Sequence, residues 1–386
     1  MRITLVISSL TTGGAERVMS VIANYWAANG QEVSLITLAS PFSDFYALHP
    51  AVKRVGLGLL VTSGHRLIKG AAHNIQRLRR LRKEIQESRP DVVLSFVDTT
   101  NILTLLATFR LGIPVIVAEH TDPRHHTIGP IWRRLRFLLY PRAKAVVVLT
   151  QALRGWAEGF LPKNIVHVIP NPIPVELLAY DGPVERFGQG RTIIAMGHLT
   201  SVKGFDLLLS AFARCAVTHS GWSLVILGEG EERGRLEKLA IELGISERVS
   251  MPGRMPDPFQ ILRRADLFVL SSRYEGFPMA LLEAMACEVA VICTEYPSGP
   301  GEILRNGKDG ILVPTDDIDA LAAAMNRLMA DPLERQRLAS RAVEVKEKFG
   351  LQKVMKLWDL LIAQSCTSLR PTQCQSMRAT ARTVVQ

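Results

Sequence analysis

Two glutamates and a histidine stand where this chain of 386 residues has most to offer a substrate. Glu275 lies in the loop Ser271-Ser272-Arg273-Tyr274-Glu275-Gly276-Phe277-Pro278, and Glu283 falls in the second turn of the helix pattern that starts at about Pro278. Proline suits the first helical position. A helix start behind a parallel strand presents free N–H groups and a partial positive charge, which is a seat for phosphate. Carboxylates beside it can hold the hydroxyls of a sugar and a ribose while the helix end holds a diphosphate. On the plainer reading, Glu275 is a solvated loop residue and Glu283 only complements the helix dipole. His120 stands in Glu119-His120-Thr121-Asp122, at a polar strand end where open α/β sheets place their ligands. It reads as an orienting group, a proton-handling group or a structural residue. His125 and His126 have no carboxylate partner that the sequence places, and no metal site is read from them.

The elements that must position these groups alternate. Residues 2–8 read as strand, 15–29 as helix and 31–38 as strand, with Gly13-Gly14-Ala15-Glu16-Arg17 at the first turn. The two glycines let a ligand approach the backbone, or simply make the turn. They are not the Gly-x-Gly-x-x-Gly fingerprint, so a nicotinamide or flavin site is disfavoured. Further strands are expected near 91–95, 113–118, 144–149 and 165–169. A Pro/Gly-rich break follows, Pro170-Asn171-Pro172-Ile173-Pro174 and Asp181-Gly182-Pro183. Beyond it strands at 191–196, 222–227, 248–251, 267–270, 289–293 and 311–313 alternate with helices. The rhythm predicts a doubly wound parallel sheet in each half. The boundaries read as domains at 1–170 and 171–348, a closing amphipathic helix at 349–364, and a polar tail at 365–386.

Charge separates the halves. The net charge is +10, yet residues 1–170 hold 21 Lys+Arg against 10 Asp+Glu and the remainder 25 against 26. The positive excess sits wholly in the first half and suggests an anionic partner there. A basic helix is predicted over 64–89, with Arg66, Lys69, Arg77, Arg79, Arg80, Arg82 and Lys83 interleaved with apolar residues. Trp132 through Tyr140 repeat the pattern. Such segments lie on anionic leaflets, or pack as ordinary surface helices. The membrane surface is the favoured reading. Nucleic acid is disfavoured, since no binding module is recognisable and few aromatics interleave. Five scattered cysteines suggest a reducing compartment, and no apolar stretch approaches the ~20 residues that span a bilayer. Residues 1–8 read as a first strand and not as a signal peptide. The expected location is cytoplasmic, peripheral at the inner face of the cytoplasmic membrane.

Taken together, Gly13 to Arg17, Asn171-Pro172, Gly197 through Gly204, Leu227-Gly228-Glu229-Gly230, the Glu275/Glu283 pair with seven residues between, Ser298-Gly299-Pro300 and Asp309-Gly310-Ile311-Leu312-Val313 resemble a family-4 retaining glycosyltransferase of the GT-B fold. The likeness runs over nearly the whole chain up to the tail and is greatest to bacterial N-acetylgalactosaminyltransferases that act on lipid-linked oligosaccharides. It implies two Rossmann-like domains facing a cleft, acceptor-binding first and nucleotide-sugar-binding second, with the closing helix crossing back. It implies Lys203 on the donor diphosphate, Glu275 on sugar hydroxyls, Glu283 on the ribose, and backbone N–H groups from Phe277 through Met279 and Ala280 facing the diphosphate. Gly13, Gly14, Gly197 and His198 would complete the donor site. His120 would join the catalytic group, and Glu16 and Arg17 the acceptor side with Arg79, Arg80, Arg82 and Lys83. The donor would be a nucleotide diphosphate sugar, UDP-linked, with no obligatory cofactor or metal. One departure stands out: relatives carry Arg where this chain has His198, and His lacks the permanent charge of a guanidinium. The rival readings are a glycoside hydrolase or phosphorylase using both glutamates, and a non-catalytic membrane scaffold that binds nucleotide sugar.

Overall fold

The computed structural model describes residues 1–60, 67–174, 177, 190–255 and 257–366. The Asp181-Gly182-Pro183 break, Arg66 and almost all of the tail lie outside them. Cα proximity divides the chain into two units, Met1–Pro170 with the stretch from Val354 onward, and Asn171–Lys353.

The first unit is built on seven strands, β1 (Arg2–Ile7), β2 (Glu32–Thr37), β3 (Lys53–Gly56), β4 (Val92–Phe96), β5 (Val115–Ala118), β6 (Ala145–Val148) and β7 (Val166–Val168). Their order is β3-β2-β1-β4-β5-β6-β7, and every pairing is parallel. The second unit has β8 (Arg191–Met196), β9 (Trp222–Leu227), β10 (Val249–Gly253), β11 (Leu267–Leu270), β12 (Val291–Glu295) and β13 (Ile311–Pro314). They are ordered β10-β9-β8-β11-β12-β13, again all parallel. β4 and β5 are buried at every position. That is why they read as unbroken apolar runs: a parallel strand is covered on both faces. Ile193, Leu224, Val269 and Ile292 on one face of the second sheet share a buried cluster with Phe212 and Met325 from the helices that cover that face.

Each sheet begins near its centre. β1 lies between β2 and β4, and β8 between β9 and β11. The chain winds outward on one side, then restarts on the other. At that reversal the loops leaving the carboxyl ends of adjacent strands diverge and leave a crevice for a ligand. In the second unit those loops are the ones after β8 and β11, which carry Lys203 and Glu275.

Three features differ from the sequence reading. β3 was not expected: it is a four-residue edge strand opening on Lys53-Arg54, too short and charged to signal itself. The helix Asp98–Ala107 was also missed, because its polar first turn, Asp98-Thr99-Thr100-Asn101, masks the periodicity. The helix expected from Pro278 starts at Met279, with Pro278 at the cap (φ −77°, ψ 85°). The closing helix spans Leu351–Cys366. Its Asp359 Oδ1 accepts from Trp26 Nε1 at 2.8 Å, and Trp358 lies 6.1 Å from the Phe96 ring, so it is anchored on the first unit.

Candidate active site

In the second unit, Lys203 closes a short 3-10 turn, Ser201–Lys203, after β8. Its Nζ lies 2.5 Å from Glu275 Oε1, and that oxygen also accepts from Ser272 Oγ at 2.7 Å. Both side chains are largely buried (22% and 14% exposed). The pair is therefore a charge-neutral unit held at the carboxyl end of two adjacent strands.

The two loops are stitched together. Ser271 Oγ donates to Lys203 O at 3.0 Å, and Arg273 N to Val202 O at 2.7 Å. Arg273 Nε meets Asp316 at 2.9 Å, and its terminal nitrogens meet both oxygens of Asp206 at 3.0 Å. Arg273 is thus committed to the scaffold. Thr294 Oγ1 donates to Ser272 O at 2.5 Å, and Ser298 Oγ to Glu275 O. The Ser298-Gly299-Pro300 turn, one of the motifs that carry the family resemblance, uses its hydroxyl to hold the Glu275 loop. Sequence reasoning missed Ser271, Ser272 and Thr294. For the two serines, adjacency to the Glu275 loop was the available signal; Thr294, on β12, offered none.

Close approach explains the glycines here. A Cβ on Gly197 would touch the Lys203 methylenes at 3.3 Å, so Gly197 gives that side chain its bed. His198 is exposed, its Nε2 3.9 Å from Glu231 Oε2. Beyond Glu275, Phe277 is buried against Phe349 with ring centroids 5.7 Å apart. The first intrahelical bond runs from Leu282 N to Pro278 O (3.2 Å), so the N–H groups of Met279, Ala280 and Leu281 precede it. Glu283 is 1% exposed. A hydrolase acid/base pair needs two carboxylates facing one substrate, and a buried Glu283 does not serve that reading.

In the first unit, β5 ends at Ala118 and Glu119 and His120 follow. His120 stacks on Phe96 with centroids 4.0 Å apart. Both its ring nitrogens are buried and, among the described residues, have no hydrogen-bond partner. Burial pushes its pKa down to about 3. A proton carrier works best with a pKa near the operating pH, so at neutral pH this ring is a neutral donor and acceptor. Glu119 is fully buried, receives Tyr140 OH at 2.5 Å and lies 3.3 Å from Arg136 Nε. Arg136 also reaches Asp98 Oδ2 at 3.4 Å, as does His126 Nε2. Asp98 is placed there by Val97, which holds φ +72° at the end of β4, a strained position for a β-branched residue. His125 Nδ1 lies 3.3 Å from Asp122. Both histidines therefore do have carboxylate partners, supplied by a tight turn and by a helix that the sequence did not reveal.

Residues 12–177 match the family model described as Glycosyltransferase Family 4, and residues 181–345 that described as Glycosyl transferases group 1. Over 369 residues the chain is 31% identical to the "GalNAc-alpha-(1->4)-GalNAc-alpha-(1->3)-diNAcBac-PP-undecaprenol alpha-1,4-N-acetyl-D-galactosaminyltransferase" of Campylobacter jejuni, across 94% of this chain and 99% of that protein. The chain belongs to glycosyltransferase family 4. Among solved structures, sucrose-phosphate synthase from Thermosynechococcus elongatus matches with a TM-score of 0.81 at 18% identity, over 94% of this chain and 99% of that one. Anabaena HepE in complex with UDP matches at 0.73 and 19%, over 96% and 100%. These likenesses carry the GT-B fold, and the family makes the protein a hexosyltransferase.

Other expected contacts of this glycosyltransferase are distributed differently. Glu16 folds back on its own turn: Ser9 Oγ donates to it at 3.3 Å, and a Cβ on Gly13 would fall 2.1 Å from its carboxylate. Burial raises its pKa. It shapes the turn and does not face a membrane. Gly14 begins the first helix and is exposed. Arg17 lies 5.5 Å over the Tyr46 ring, and Tyr46 OH donates to Gly13 O at 3.1 Å. In the basic helix, found at Leu67–Ser88, Arg79, Arg80 and Lys83 are exposed. Arg82 is not available to a leaflet, because its NH1 donates to Ala107 O at 2.7 Å and Phe109 O at 2.9 Å. Within the 132–140 segment, Arg136 and Tyr140 are buried in the network around Glu119, so only Arg133 and Arg134 remain as outward cations.

The Glu119 network makes a pH prediction. Burial raises the Glu119 pKa from 4.5 to about 7, opposed by Arg136 and assisted by Asp98. Below about pH 4.5 the folded and unfolded chains both hold the proton. As pH rises toward 7 the unfolded chain ionises first, so the unit loses stability through that window and levels off above it. Asp122 behaves oppositely: burial raises it, but hydrogen bonds from Arg124 outweigh that, and its contribution is lost only in acid. Thermal unfolding from pH 5 to 7.5 should show the wild type losing about 1–3 kcal/mol, while Glu119→Gln lacks that slope. An identical slope in both proteins would refute the assignment to Glu119.

Proposed function

We propose that this enzyme transfers a hexose, N-acetylgalactosamine or a close relative, from a UDP-sugar to a lipid-linked saccharide in bacterial surface glycan synthesis, with retention at the anomeric carbon. The observation that carries this reading is the Lys203–Glu275 pair at the reversal of the second sheet, four residues before a helix whose first N–H groups precede its first internal hydrogen bond. Positive charge grows on the sugar as the glycosidic bond to diphosphate lengthens, and negative charge accumulates on the leaving diphosphate. Lys203 and the N–H groups of Met279, Ala280 and Leu281 are preorganised donors for that charge. When the donor's phosphates draw the Lys203 ammonium away, Glu275 is released to accept hydroxyl hydrogen bonds from the sugar. The departing phosphate oxygen takes the acceptor proton on the same face, so neither a protein nucleophile nor a metal is required. The acceptor assignment rests on the Campylobacter relative, whose name specifies a diphospho-undecaprenol saccharide. UDP as carrier is supported by the HepE complex, together with the resemblance in sequence.

The test is direct: a panel of nucleotide sugars is offered with short polyprenyl-diphosphate-linked saccharides and products are read by mass and linkage. One added N-acetylhexosamine in α linkage from a UDP donor is expected. Sugar release without a nucleotide would instead point to a hydrolase.

Peripheral attachment to the inner leaflet belongs to the same reading. Among the described residues no helix is long and apolar enough to cross a membrane. Neutralising Arg79, Arg80 and Lys83 together should weaken binding to anionic vesicles by roughly tenfold or more, since each cation near such a surface contributes about 1 kcal/mol. Binding that stays within twofold of wild type would remove that helix from the membrane contact.

A further inference from the structure

A second feature of the first unit lies at the other end of β5 from His120. Leu105, Thr108, Phe109, Arg110, Arg142 and Lys144 line a cavity of about 460 Å³, with backbone from Gly112 to Val115 completing the wall. Three of these side chains are cations, and among the described residues no carboxylate lines the cavity. Arg110 and Arg142 both lie over one phenyl ring, their guanidinium carbons 5.3 and 5.5 Å from the Phe109 centroid. Elsewhere in this fold arginines find acids: Arg54 finds Asp44, Arg124 finds Asp122, Arg136 finds Asp98 and Glu119. Arg110 moreover holds a left-handed backbone, φ +62°, a conformation that a non-glycine residue adopts only when its surroundings impose it.

The surroundings are apolar and outward. Phe109 is half exposed. Leu139 lines the cavity, and the helix it ends, Pro130–Leu139, exposes Ile131 at 71% and Leu138 at 60%. These two are seven residues apart and share a face with exposed Arg134, while Arg136 is buried on the opposite side and Leu139, on the flank between, faces the cavity. Apolar residues beside cations that no carboxylate meets among the described residues match the boundary between acyl chains and headgroups. Guanidinium forks match phosphate oxygens.

We propose that this cavity binds the phosphate ester of an anionic phospholipid headgroup, with Arg110, Arg142 and Lys144 as its ligands and Phe109, Ile131 and Leu138 resting in the interface. It deepens the membrane reading of the proposed function, adding a discrete headgroup site to diffuse attraction by Arg79, Arg80 and Lys83. The site is separate from the chemistry, because it opens at the amino ends of β5 and β6 and the reaction groups stand at carboxyl ends.

The experiment compares the full-length wild type, a cavity variant (Arg110→Asn, Arg142→Gln, Lys144→Gln) and a helix variant of equal charge (Arg79→Gln, Arg80→Gln, Lys83→Gln). Asparagine is chosen at 110 because it tolerates a left-handed backbone. Binding is measured to phosphatidylglycerol vesicles, and by calorimetry to glycerol phosphate and inorganic phosphate; turnover is followed with a water-soluble acceptor. The expected result is that wild type and helix variant bind glycerol phosphate, the cavity variant does not, and its vesicle affinity falls at least about fivefold with turnover unchanged. If wild type binds vesicles and the cavity variant binds vesicles and glycerol phosphate equally well, the headgroup site is overturned and the membrane reading stands. Equal vesicle losses in both variants, with no glycerol phosphate bound by wild type, leave only diffuse charge and also overturn it. If wild type ignores vesicles but its phosphate binding is lost in the cavity variant, the membrane reading fails, and the pocket's ligand is a soluble phosphate instead of a headgroup.

Discussion

Lys203→Ala is expected to lower the rate of sugar transfer by about two to three orders of magnitude, the usual effect of removing one preorganised donor from a developing anion. Glu275→Ala should act comparably. The difficulty is that each residue is the other's partner at 2.5 Å, in a largely buried setting. Either single change leaves an uncompensated charge, and that alone can disturb the loops that Ser271, Ser272 and Arg273 tie together. A low rate in one variant therefore does not separate chemistry from architecture. The double variant, Lys203→Ala with Glu275→Ala, does. It removes both charges together, so the electrostatic penalty disappears and thermal stability should recover toward wild type. If the pair only braces the fold, turnover recovers with stability. If Lys203 faces the leaving diphosphate and Glu275 the sugar, turnover stays as low as in the worse single variant, because groups that act as a unit are not additive. Stability and turnover measured on the same three proteins decide between the two, and recovery of turnover would sink the assignment.

How much of this was legible beforehand depends on the kind of signal. The parallel sheets were legible, since buried strands such as Val92–Phe96 and Val115–Ala118 leave unbroken apolar runs. Glycine-rich turns also speak locally, because a close approach to backbone at Gly204 or Gly228 excludes every other residue. Pairings across long sequence distances do not. Nothing in the string Trp132 to Tyr140 says that Arg136 is buried between Asp98 and Glu119 while Arg133 and Arg134 face outward. A basic amphipathic pattern looks the same whether its cations meet a leaflet or a carboxylate, so nothing in it set the buried Arg136 apart from its outward neighbours. The same limit hid what Thr294 and Ser298 do, since only the fold carries their hydroxyls to the backbone of the Glu275 loop. His120 was visible as a polar strand end. Its neutrality was not, because that follows from burial against Phe96.

Gly204→Ala should be among the most disruptive single-methyl changes in the protein. Gly204 follows Lys203 and holds φ +61°, ψ 27°. For an alanine that backbone alone costs about 1–2 kcal/mol. The larger effect comes from what the methyl would meet: a Cβ there would stand 2.1 Å from Ser271 O, a backbone atom that cannot rotate away. Relief requires the β11 loop to move off the Lys203 turn, which breaks the Ser271–Lys203 and Arg273–Val202 hydrogen bonds and separates Lys203 from Glu275. A total loss of about 4 kcal/mol or more is expected, in the range reserved for strained or overpacked sites. Gly228→Ala should behave alike, as its Cβ would fall 1.9 Å from Gly197 O at φ +141°. The informative control is Gly244→Ala in the same unit: its φ of +68° is equally left-handed, but nothing lies within 4 Å of the new methyl. Denaturant unfolding should therefore show Gly244→Ala losing only the conformational cost. If Gly204→Ala loses no more than Gly244→Ala, the two loops are not pressed together as described. The close seating of Lys203 against the Glu275 loop, on which the donor site depends, would then have to be abandoned.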